Sequence, residues 1–198
     1  MPPINETLPR LGLRHACVAK ERHLHLTETS CKAIRSIVLA YQLWCQRPVA
    51  DAVIRAHHSL AKHGYGILVF DGYRPWSVTK IFWEHANEAQ RGFLANPERG
   101  SKHNRGCAID CSLFDLSNGR EARMPSEFDE MNEAAWPTYT GGSAEERTRR
   151  DLLISAMHAE GFRVLRNEWW HFDHPSADDY PILDVTFESL LSERSDRE

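Results

Sequence analysis

"CAIDCSLFD", residues 107–115, is the stretch of this chain that indicates its fold most directly. Every second residue in it is apolar or cysteine, and a period of two places such residues on one face of a β-strand. The residues that would share this face are Cys107, Ile109, Cys111 and Leu113. Asp110 would then point to the opposite face. We therefore predict a strand that turns one face to the core and presents an aspartate on the other.

Helical spacing of apolar residues predicts four helices around this strand. They cover residues 28–46, 49–64, 77–92 and 143–161. Pro48 is suited to the start of the second helix, and Gly64 to its end. Ser143 and Glu146 form a capping-box pattern at the start of the fourth helix, and Gly161 would end it.

Two further regions have extended character. "GILVF", residues 66–70, is an apolar run typical of a buried strand, and residues 162–174 would form two extended segments around Arg166-Asn167. Strands and helices do not alternate regularly, so the pattern predicts an α+β fold, with helices packed on one side of a small, mostly antiparallel sheet. We expect a single domain over residues 1–198, with residues 192–198 as a frayed polar tail.

Composition excludes several classes of partner. The chain has 198 residues, 41% of them hydrophobic, and a net charge of −4 without a basic stripe, so nucleic acid is not an expected partner. Since no run of about 18 apolar residues occurs, we expect no membrane span. The N-terminus lacks the pattern of a signal peptide or lipid anchor, which favours a cytoplasmic protein. No feature of the sequence indicates the oligomeric state.

The cysteines are five in number and none lies in a CxxC pair. An odd count without such pairs favours thiols in a reducing compartment over disulfides or a thiolate zinc site. Cys107 and Cys111 flank Asp110 closely enough to be considered as ligands, but the strand pattern places them on the core face.

Candidate metal ligands occur in two separate segments. His103 and Asp110 lie seven residues apart around Gly106, and "NEWWHFDH", residues 167–174, adds further histidines and carboxylates. A zinc hydrolase needs three protein ligands, an open position and a carboxylate that takes a proton from water. We predict His103, Asp110 and His171 as the ligands, with Glu168 as the base.

This assignment places a condition on the backbone. Glu168 and His171 are three residues apart, so on a regular strand their side chains would point to opposite faces. Both can reach one ion only if the chain bends near Glu168, as at a turn or bulge after Asn167. Trp169 and Trp170 would then wall the site, pack in the core, or do both.

Arg74 is a candidate for charge stabilisation. It lies in "FDGYRPW", residues 70–76, directly after a predicted strand and before Pro75, which favours extended backbone. A guanidinium in that position is suited to an oxyanion or to a substrate carboxylate. A simple salt bridge to Asp71 is the alternative interpretation.

Four motifs in this order resemble the D-alanyl-D-alanine dipeptidases, the VanX-type zinc dipeptidases. The motifs are "DGYRP" (71–75), "SKHNRGCAID" (101–110), "FDEM" (128–131) and "EWWHF" (168–172). The resemblance runs from about Gly64 to about Phe172. It implies the fold shared by the D-Ala-D-Ala metallopeptidases and the hedgehog N-terminal domain.

The resemblance also implies residue roles and a substrate. His103, Asp110 and His171 match the ligands of one zinc ion per chain, Glu168 matches the base, and Arg74 matches the arginine that stabilises the transition state. Ser101 and Tyr73 are placed at the substrate pocket. The implied substrate is a free dipeptide such as D-Ala-D-Ala, removed from the pool of cell-wall precursors for glycopeptide resistance or for amino-acid recycling.

The chain departs from the family pattern at three places. Met124-Pro125-Ser126 stands where members usually have Met-Gly-Thr, and Trp136-Pro137 stands where a serine-histidine pair is frequent. Asp173-His174 follows "EWWHF" in place of an apolar pair. These departures surround the expected pocket, so they bear on substrate specificity more than on zinc chemistry.

Alternatives remain for the site and for the function. His174 could pair with Asp173 or act as a ligand itself, whereas the other histidines, among them the pair His23 and His25, are expected to be surface or core residues. The chain could be a D,D-carboxypeptidase that acts on cell-wall peptides. It could also be a zinc-bearing binding module without catalysis, although the presence of Glu168 and Arg74 argues against this.

Overall fold

The computed structural model describes residues 44–190. Its helices are α1 (Arg47–Ala61), α2 (Trp76–His85), α3 (Glu88–Arg91) and α4 (Ala144–Ala159). Its strands are β1 (Tyr65–Asp71), β2 (Ala108–Asp115), β3 (Arg163–Leu165) and β4 (Glu168–Asp173). Short 3-10 turns cover His103–Arg105, Glu133–Ala135 and Pro175–Asp179. Most of the predicted helix over 28–46, the cysteines Cys17 and Cys31, the pair His23 and His25 and the tail lie outside the described residues.

The four strands form one sheet in the order β1-β2-β4-β3, and every neighbouring pair is antiparallel. The predicted α+β fold with an antiparallel sheet is therefore confirmed. The strand predicted over 107–115 is β2, which lies at the centre of the sheet. Its register places Asp110 opposite His171 on β4 and opposite Asp71 at the end of β1.

The apolar face of β2 lies in the main core, as its alternating pattern predicts. Cys107, Ile109, Cys111 and Leu113 are all fully buried. Helices α1 and α4 cover this face with a set of buried side chains that includes Val49, Val53, Leu60, Leu153 and Met157. Each such side chain contributes roughly 1.5–3 kcal/mol by leaving water. This core fixes the orientation of β2 and thereby presents Asp110 on the other side of the sheet.

Local signals explain where the helices begin and end. The Ser143 hydroxyl accepts a hydrogen bond from the Glu146 backbone at 3.1 Å, and the Glu146 carboxylate accepts one from the Ser143 backbone at 2.8 Å. This is the predicted capping box of α4. Gly161, beyond the end of α4, has a φ of 90°, a conformation that favours glycine.

The single helix predicted over 77–92 is wrong, because the structure has two helices there. The chain leaves α2 after His85, with Ala86 in extended conformation. Asn87 then begins α3, since its side chain accepts a hydrogen bond from the Gln90 backbone and the Gln90 side chain accepts one from the Asn87 backbone. Asparagine competes with helical hydrogen bonds in this way, so it starts a new helix at this position.

Strand β4 has a bend of the kind that would let Glu168 and His171, three residues apart, face the same cavity. Val164 pairs with Phe172, but the next residue of β3, Leu165, pairs with Glu168. Three residues of β4 therefore have no partner on β3, and the strand bends between Glu168 and Phe172. The bend brings Glu168 and His171 to the same cavity.

Within residues 44–190, no helix has the length and apolar character needed to cross a membrane.

Candidate active site

Three side chains from two strands and one loop bring their ligand atoms together on the polar side of the sheet. Nε2 of His103 lies 3.3 Å from Oδ2 of Asp110 and 3.2 Å from Nδ1 of His171, and this Nδ1 lies 2.9 Å from Oδ1 of Asp110. Ligand atoms about 2.0 Å from a tetrahedral zinc ion would be about 3.3 Å apart. The set of two imidazoles and one carboxylate therefore fits a zinc ion in both chemistry and spacing.

In both His103 and His171, the ring nitrogen that faces away from the ligand set also has a hydrogen-bond partner. Nδ1 of His103 donates to the carbonyl oxygen of Gly72 at 2.6 Å, which leaves Nε2 to face Asp110. Nε2 of His171 lies 3.0 Å from the Asp173 carboxylate, whose other oxygen accepts from Lys102 Nζ at 2.9 Å. Partners of this kind fix the tautomer and the ring orientation of metal-binding histidines.

Asp110 lies between the two imidazoles and is only 4% exposed. Burial alone would raise the pKa of its carboxyl. The neighbouring His103 and His171 outweigh burial through charge and hydrogen bonds, so they hold the pKa of Asp110 well below its usual range. In the metal-free chain this environment favours the charged form of Asp110, which is the form that binds a cation.

His171 shows the reciprocal effect in the metal-free chain. Burial would lower the pKa of its imidazole, but hydrogen bonds to Asp110 and Asp173 raise that pKa to about 10. A cation that binds at Nδ1 of His171 must therefore displace a proton from the imidazole.

Glu168 lies beside the three candidate ligands, in a different environment. It is 8% exposed, and within residues 44–190 no group donates a hydrogen bond to its carboxylate. Burial is the main cause that raises the pKa of Glu168 to about 8, and the negative charges of Asp110 and Asp129 act in the same direction. A carboxylate with a pKa near neutrality can both accept and release a proton.

Arg74 reaches the cavity from the loop after β1. Its Nε and Nη2 donate to Oδ2 of Asp71 at 2.8 and 2.5 Å, and Nη2 lies 3.8 Å from Oδ2 of Asp110. The salt bridge to Asp71 is the contact that the alternative interpretation expects, yet Arg74 also lines the cavity. Asp71 thus holds the guanidinium in place at the edge of the site.

The cavity has a volume of about 400 Å³ and contains all three candidate ligands, Glu168 and Arg74. Ser101 lines it too, and its hydroxyl accepts a hydrogen bond from the backbone of His103 at 3.2 Å. Trp170 forms part of the wall, whereas Trp169 packs in the core and donates from Nε1 to the Ser126 hydroxyl at 2.8 Å.

The structure does not bring Tyr73 to this cavity, although the resemblance places it at the substrate pocket. The Tyr73 ring is 1% exposed and packs with Trp44 and Leu190. Its hydroxyl donates to the Val185 carbonyl at 3.0 Å and accepts from the Val185 backbone at 2.8 Å. Tyr73 therefore anchors the segment that contains Val185.

His174 also lies apart from the ligand atoms. Its Nδ1 accepts a hydrogen bond from the Ser176 backbone at 3.3 Å, and its ring contacts Phe162 at a centroid distance of 5.1 Å. His174 caps the 3-10 turn that follows β4. Of the pair Asp173-His174, only Asp173 contacts a candidate ligand.

Sequence reasoning missed the part that Asp129 plays in the cavity. Asp129 has a φ of 59°, which is unusual for a residue other than glycine. It lines the cavity, and burial together with the charge of Asp110 raises the pKa of its carboxyl to about 7. The "FDEM" motif that contains Asp129 was a signal, but the spacing alone gives it no role.

Asn104 is a second residue that sequence reasoning missed. Its fully buried amide donates to the Arg74 carbonyl at 2.8 Å and to the Thr79 hydroxyl at 2.8 Å, and it accepts from the Ser101 backbone at 2.7 Å. Asn104 thus joins the segment of His103 to the segment of Arg74. An asparagine near a glycine is typical of ordinary turns, so the sequence carries no distinct signal for this role.

Comparison with known proteins identifies the family. The M15 peptidase family model, described as D-ala-D-ala dipeptidase, matches residues 37–190. A D-alanyl-D-alanine dipeptidase of Enterococcus faecium is 32% identical over 166 residues, which cover 74% of this chain and 79% of that protein. One from Enterococcus faecalis is 36% identical over 154 residues, covering 68% and 76%. The chain therefore belongs to the D-Ala-D-Ala dipeptidase family, and it is a metallopeptidase.

Among solved structures, the vancomycin-resistance D,D-dipeptidase VanXYg in complex with a D-Ala-D-Ala phosphinate analogue is similar to this chain with a TM-score of 0.46 and 18% identity. The similarity covers 69% of this chain and 54% of that one.

Proposed function

We propose that this protein hydrolyses D-alanyl-D-alanine, or a similar D,D-dipeptide, to free amino acids in a zinc-dependent reaction. Family membership and the names of the relatives support the substrate class. The donor set of His103, Asp110 and His171 supports one zinc ion per chain. When bound there, zinc would polarise the scissile carbonyl and acidify water.

Glu168 acts as the general base in this proposal. Its carboxylate accepts a proton from the attacking water and then delivers that proton to the leaving amine. In the metal-free chain the pKa of Glu168 is raised to about 8, and the charge of a zinc ion on the three candidate ligands would lower it towards the range that a base needs at neutral pH. The bend in β4 is what allows a residue three positions from His171 to face the same cavity.

Arg74 stabilises the negative charge that develops on the carbonyl oxygen. Asp71 holds its Nε and one terminal nitrogen, so the guanidinium is oriented before substrate arrives. A preoriented cation lowers the barrier more than a mobile one, since little reorganisation accompanies the reaction.

Asp129 is suited to the free ammonium group of the dipeptide. It lines the cavity, and no described residue forms a hydrogen bond or ion pair with it. A substrate ammonium beside Asp129 would lower the pKa of this carboxyl from its raised value near 7, so the pair would form in its charged state.

The observation that carries the proposal is one cavity that contains three ligand atoms, a carboxylate of raised pKa and an oriented guanidinium. The test is turnover of a panel of D,D-, L,D- and L,L-dipeptides with and without a chelator. We expect hydrolysis of D-Ala-D-Ala that stops on chelation and returns with Zn²⁺. Activity that persists without metal would contradict the proposal.

The same assay separates the two other candidate functions once a blocked tripeptide that ends in D-Ala-D-Ala is added to the panel. A D,D-carboxypeptidase would cleave a D-Ala-D-Ala-terminated peptide with a blocked N-terminus at least as well as the free dipeptide. A zinc-binding module without catalysis would retain metal but cleave no member of the panel.

A further inference from the structure

The cavity has an excess of acidic groups. Four carboxylates line it, namely those of Asp110, Asp129, Glu168 and Asp173. Of the described residues that line it, only Arg74 and Lys102 are cationic apart from the histidines. A dipeptide brings a carboxylate of its own, and a cationic side chain of the wall is the group that would pair with it.

Arg74 already contacts acidic groups of the protein and is only partly accessible to a substrate carboxylate. Two of its nitrogens already contact Asp71, and one of these lies 3.8 Å from Asp110. Its side chain is 18% exposed, and the ring of Phe82 lies 5.2 Å from the guanidinium carbon. The proposed reaction assigns this guanidinium to the oxyanion.

Lys102 is the second cationic side chain of the cavity wall, and it is more exposed than Arg74. Its side chain is 46% exposed, and its Nζ contacts one carboxylate oxygen, Oδ2 of Asp173, at 2.9 Å. An ammonium group has three donors, so two remain for a ligand. An ion pair this exposed contributes little to stability, so it restrains the ammonium only weakly.

Lys102 is connected to the candidate ligand set through Asp173. One carboxylate oxygen of Asp173 accepts from Lys102 at 2.9 Å, and the other lies 3.0 Å from Nε2 of His171. Both Lys102 and Asp173 line the cavity, so this ammonium group belongs to the wall that a ligand would meet.

We propose that Lys102 binds the C-terminal carboxylate of the dipeptide and thereby makes the enzyme prefer substrates with a free C-terminus. This inference rests on the proposed function, because it concerns substrate recognition in the same cavity. The ammonium of the substrate faces Asp129 and its carboxylate faces Lys102, so the two ends of the dipeptide meet opposite charges.

A purely structural role predicts something different. If Lys102 only holds Asp173, and Asp173 holds His171, then loss of the lysine would weaken metal binding. It would also affect every ligand equally, whatever group stands at the C-terminus. The discriminating quantity is therefore the preference for a free acid over its amide.

The experiment measures the affinity of the Zn²⁺-loaded chain for D-Ala-D-Ala and for D-Ala-D-Ala amide by calorimetry. The Glu168→Gln background prevents consumption of either ligand. Lys102→Met should weaken binding of the free acid about tenfold and reduce the preference for acid over amide by the same factor. Lys102→Arg, which retains a cation, should restore most of that preference.

Lys80→Met serves as the matched control. Lys80 is 51% exposed on α2, pairs with Glu84 at 3.8 Å, and does not line the cavity, so its loss should leave the preference unchanged. The proposal is overturned if Lys102→Met weakens acid and amide alike, if it lowers the metal content, or if the preference does not change. Selective binding of the acid through Lys102 in a native chain that hydrolyses no dipeptide would refute the hydrolysis alone.

Discussion

Asp110 and Glu168 are both buried carboxylates of one cavity, yet the protein surrounds them differently. Asp110 lies in the middle of the central strand, with an imidazole nitrogen within 3.3 Å of each carboxylate oxygen. Glu168 is the first residue of β4, beside the bend in that strand, and no described residue donates a hydrogen bond to it. They are 4% and 8% exposed, so the extent of burial does not distinguish them.

The comparison shows that neighbouring groups, and not the depth of burial, distinguish the candidate ligand Asp110 from the candidate base Glu168. Burial raises the pKa of both carboxyls, but only at Asp110 do the two histidines outweigh it. Asp110 is therefore held charged, whereas the pKa of Glu168 rises to about 8. A permanently charged carboxylate suits a cation, and one that titrates near neutrality suits proton transfer.

The largest expected effect comes from Glu168→Gln. The amide has nearly the same shape but cannot accept the proton of water, so D-Ala-D-Ala hydrolysis should fall on the order of 10⁴-fold. Zinc content should stay near one equivalent, as metal analysis would show. Turnover close to that of the native chain would make Glu168 structural, with Asp173 as the first alternative base.

Glu168→Gln is expected to lose activity and keep zinc. Removal of a candidate ligand should instead cause loss of zinc and activity together. Asp110→Asn, His103→Ala and His171→Ala should each weaken zinc affinity more than about 100-fold, beyond the range typical of residues that only orient a ligand. Asp173→Asn should fall within that range, at about 10- to 100-fold. Competition with a chromogenic chelator measures the zinc affinity of the three ligand variants and of Asp173→Asn. His174→Ala is the control, and full zinc retention by the His103 and His171 variants would refute the ligand set.

Arg74→Lys should be almost as damaging as Arg74→Ala, at about 100-fold or more in kcat. Lysine keeps the charge but loses the planar fork that contacts Asp71 and the oxyanion together. The loss of activity should appear in kcat, since the negative charge that Arg74 would stabilise develops only in the transition state. Steady-state kinetics would show the opposite, a raised KM with kcat intact, if Arg74 holds a substrate carboxylate or only pairs with Asp71.

The smallest effect is on the stability of the metal-free chain. Folded Glu168 keeps its proton up to a pKa of about 8, whereas the unfolded chain releases it near the ordinary value of 4.5. Stability from this group is therefore complete below about pH 4.5 and is lost as the pH rises towards 8, by roughly 4 kcal/mol. Asp129 and His171, whose pKa values are also raised, act in the same direction.

Urea unfolding in chelator at pH 5, 6, 7 and 8 checks this expectation. Glu168→Gln should reduce the decline of the unfolding free energy and leave only the part due to the other groups. Glu84→Gln, an exposed change on α2, is the control. An identical decline in the native chain and in Glu168→Gln would show that Glu168 does not titrate in this range.

Much of this arrangement could be predicted from sequence because short-range patterns determine it. Alternation over 107–115 indicates which face of β2 packs in the main core, and so where Asp110 points. The spacing of Glu168 and His171 requires a bend, and the structure has one at that place. The capping box of Ser143 and Glu146 is likewise a local signal.

The remaining features depend on contacts between distant segments. Tyr73 stands next to Arg74, but its hydroxyl bonds to Val185, 112 residues away, and this contact takes the ring out of the cavity. Asp129 enters the cavity through a left-handed backbone conformation that no repeat in the sequence predicts. The break at Asn87 was missed because one capping side chain outweighs an otherwise continuous helical pattern.

The bonds of Asn104 have a consequence for local unfolding. The amide hydrogens of Arg74, Ser101 and Leu183 are all bonded to His103 or Asn104, although these residues come from three separate parts of the chain. One opening of the 103–104 turn would expose all three to deuterium exchange. The candidate ligand His103 and the guanidinium of Arg74 therefore belong to one cooperative unit, and we expect the chain to loosen both together.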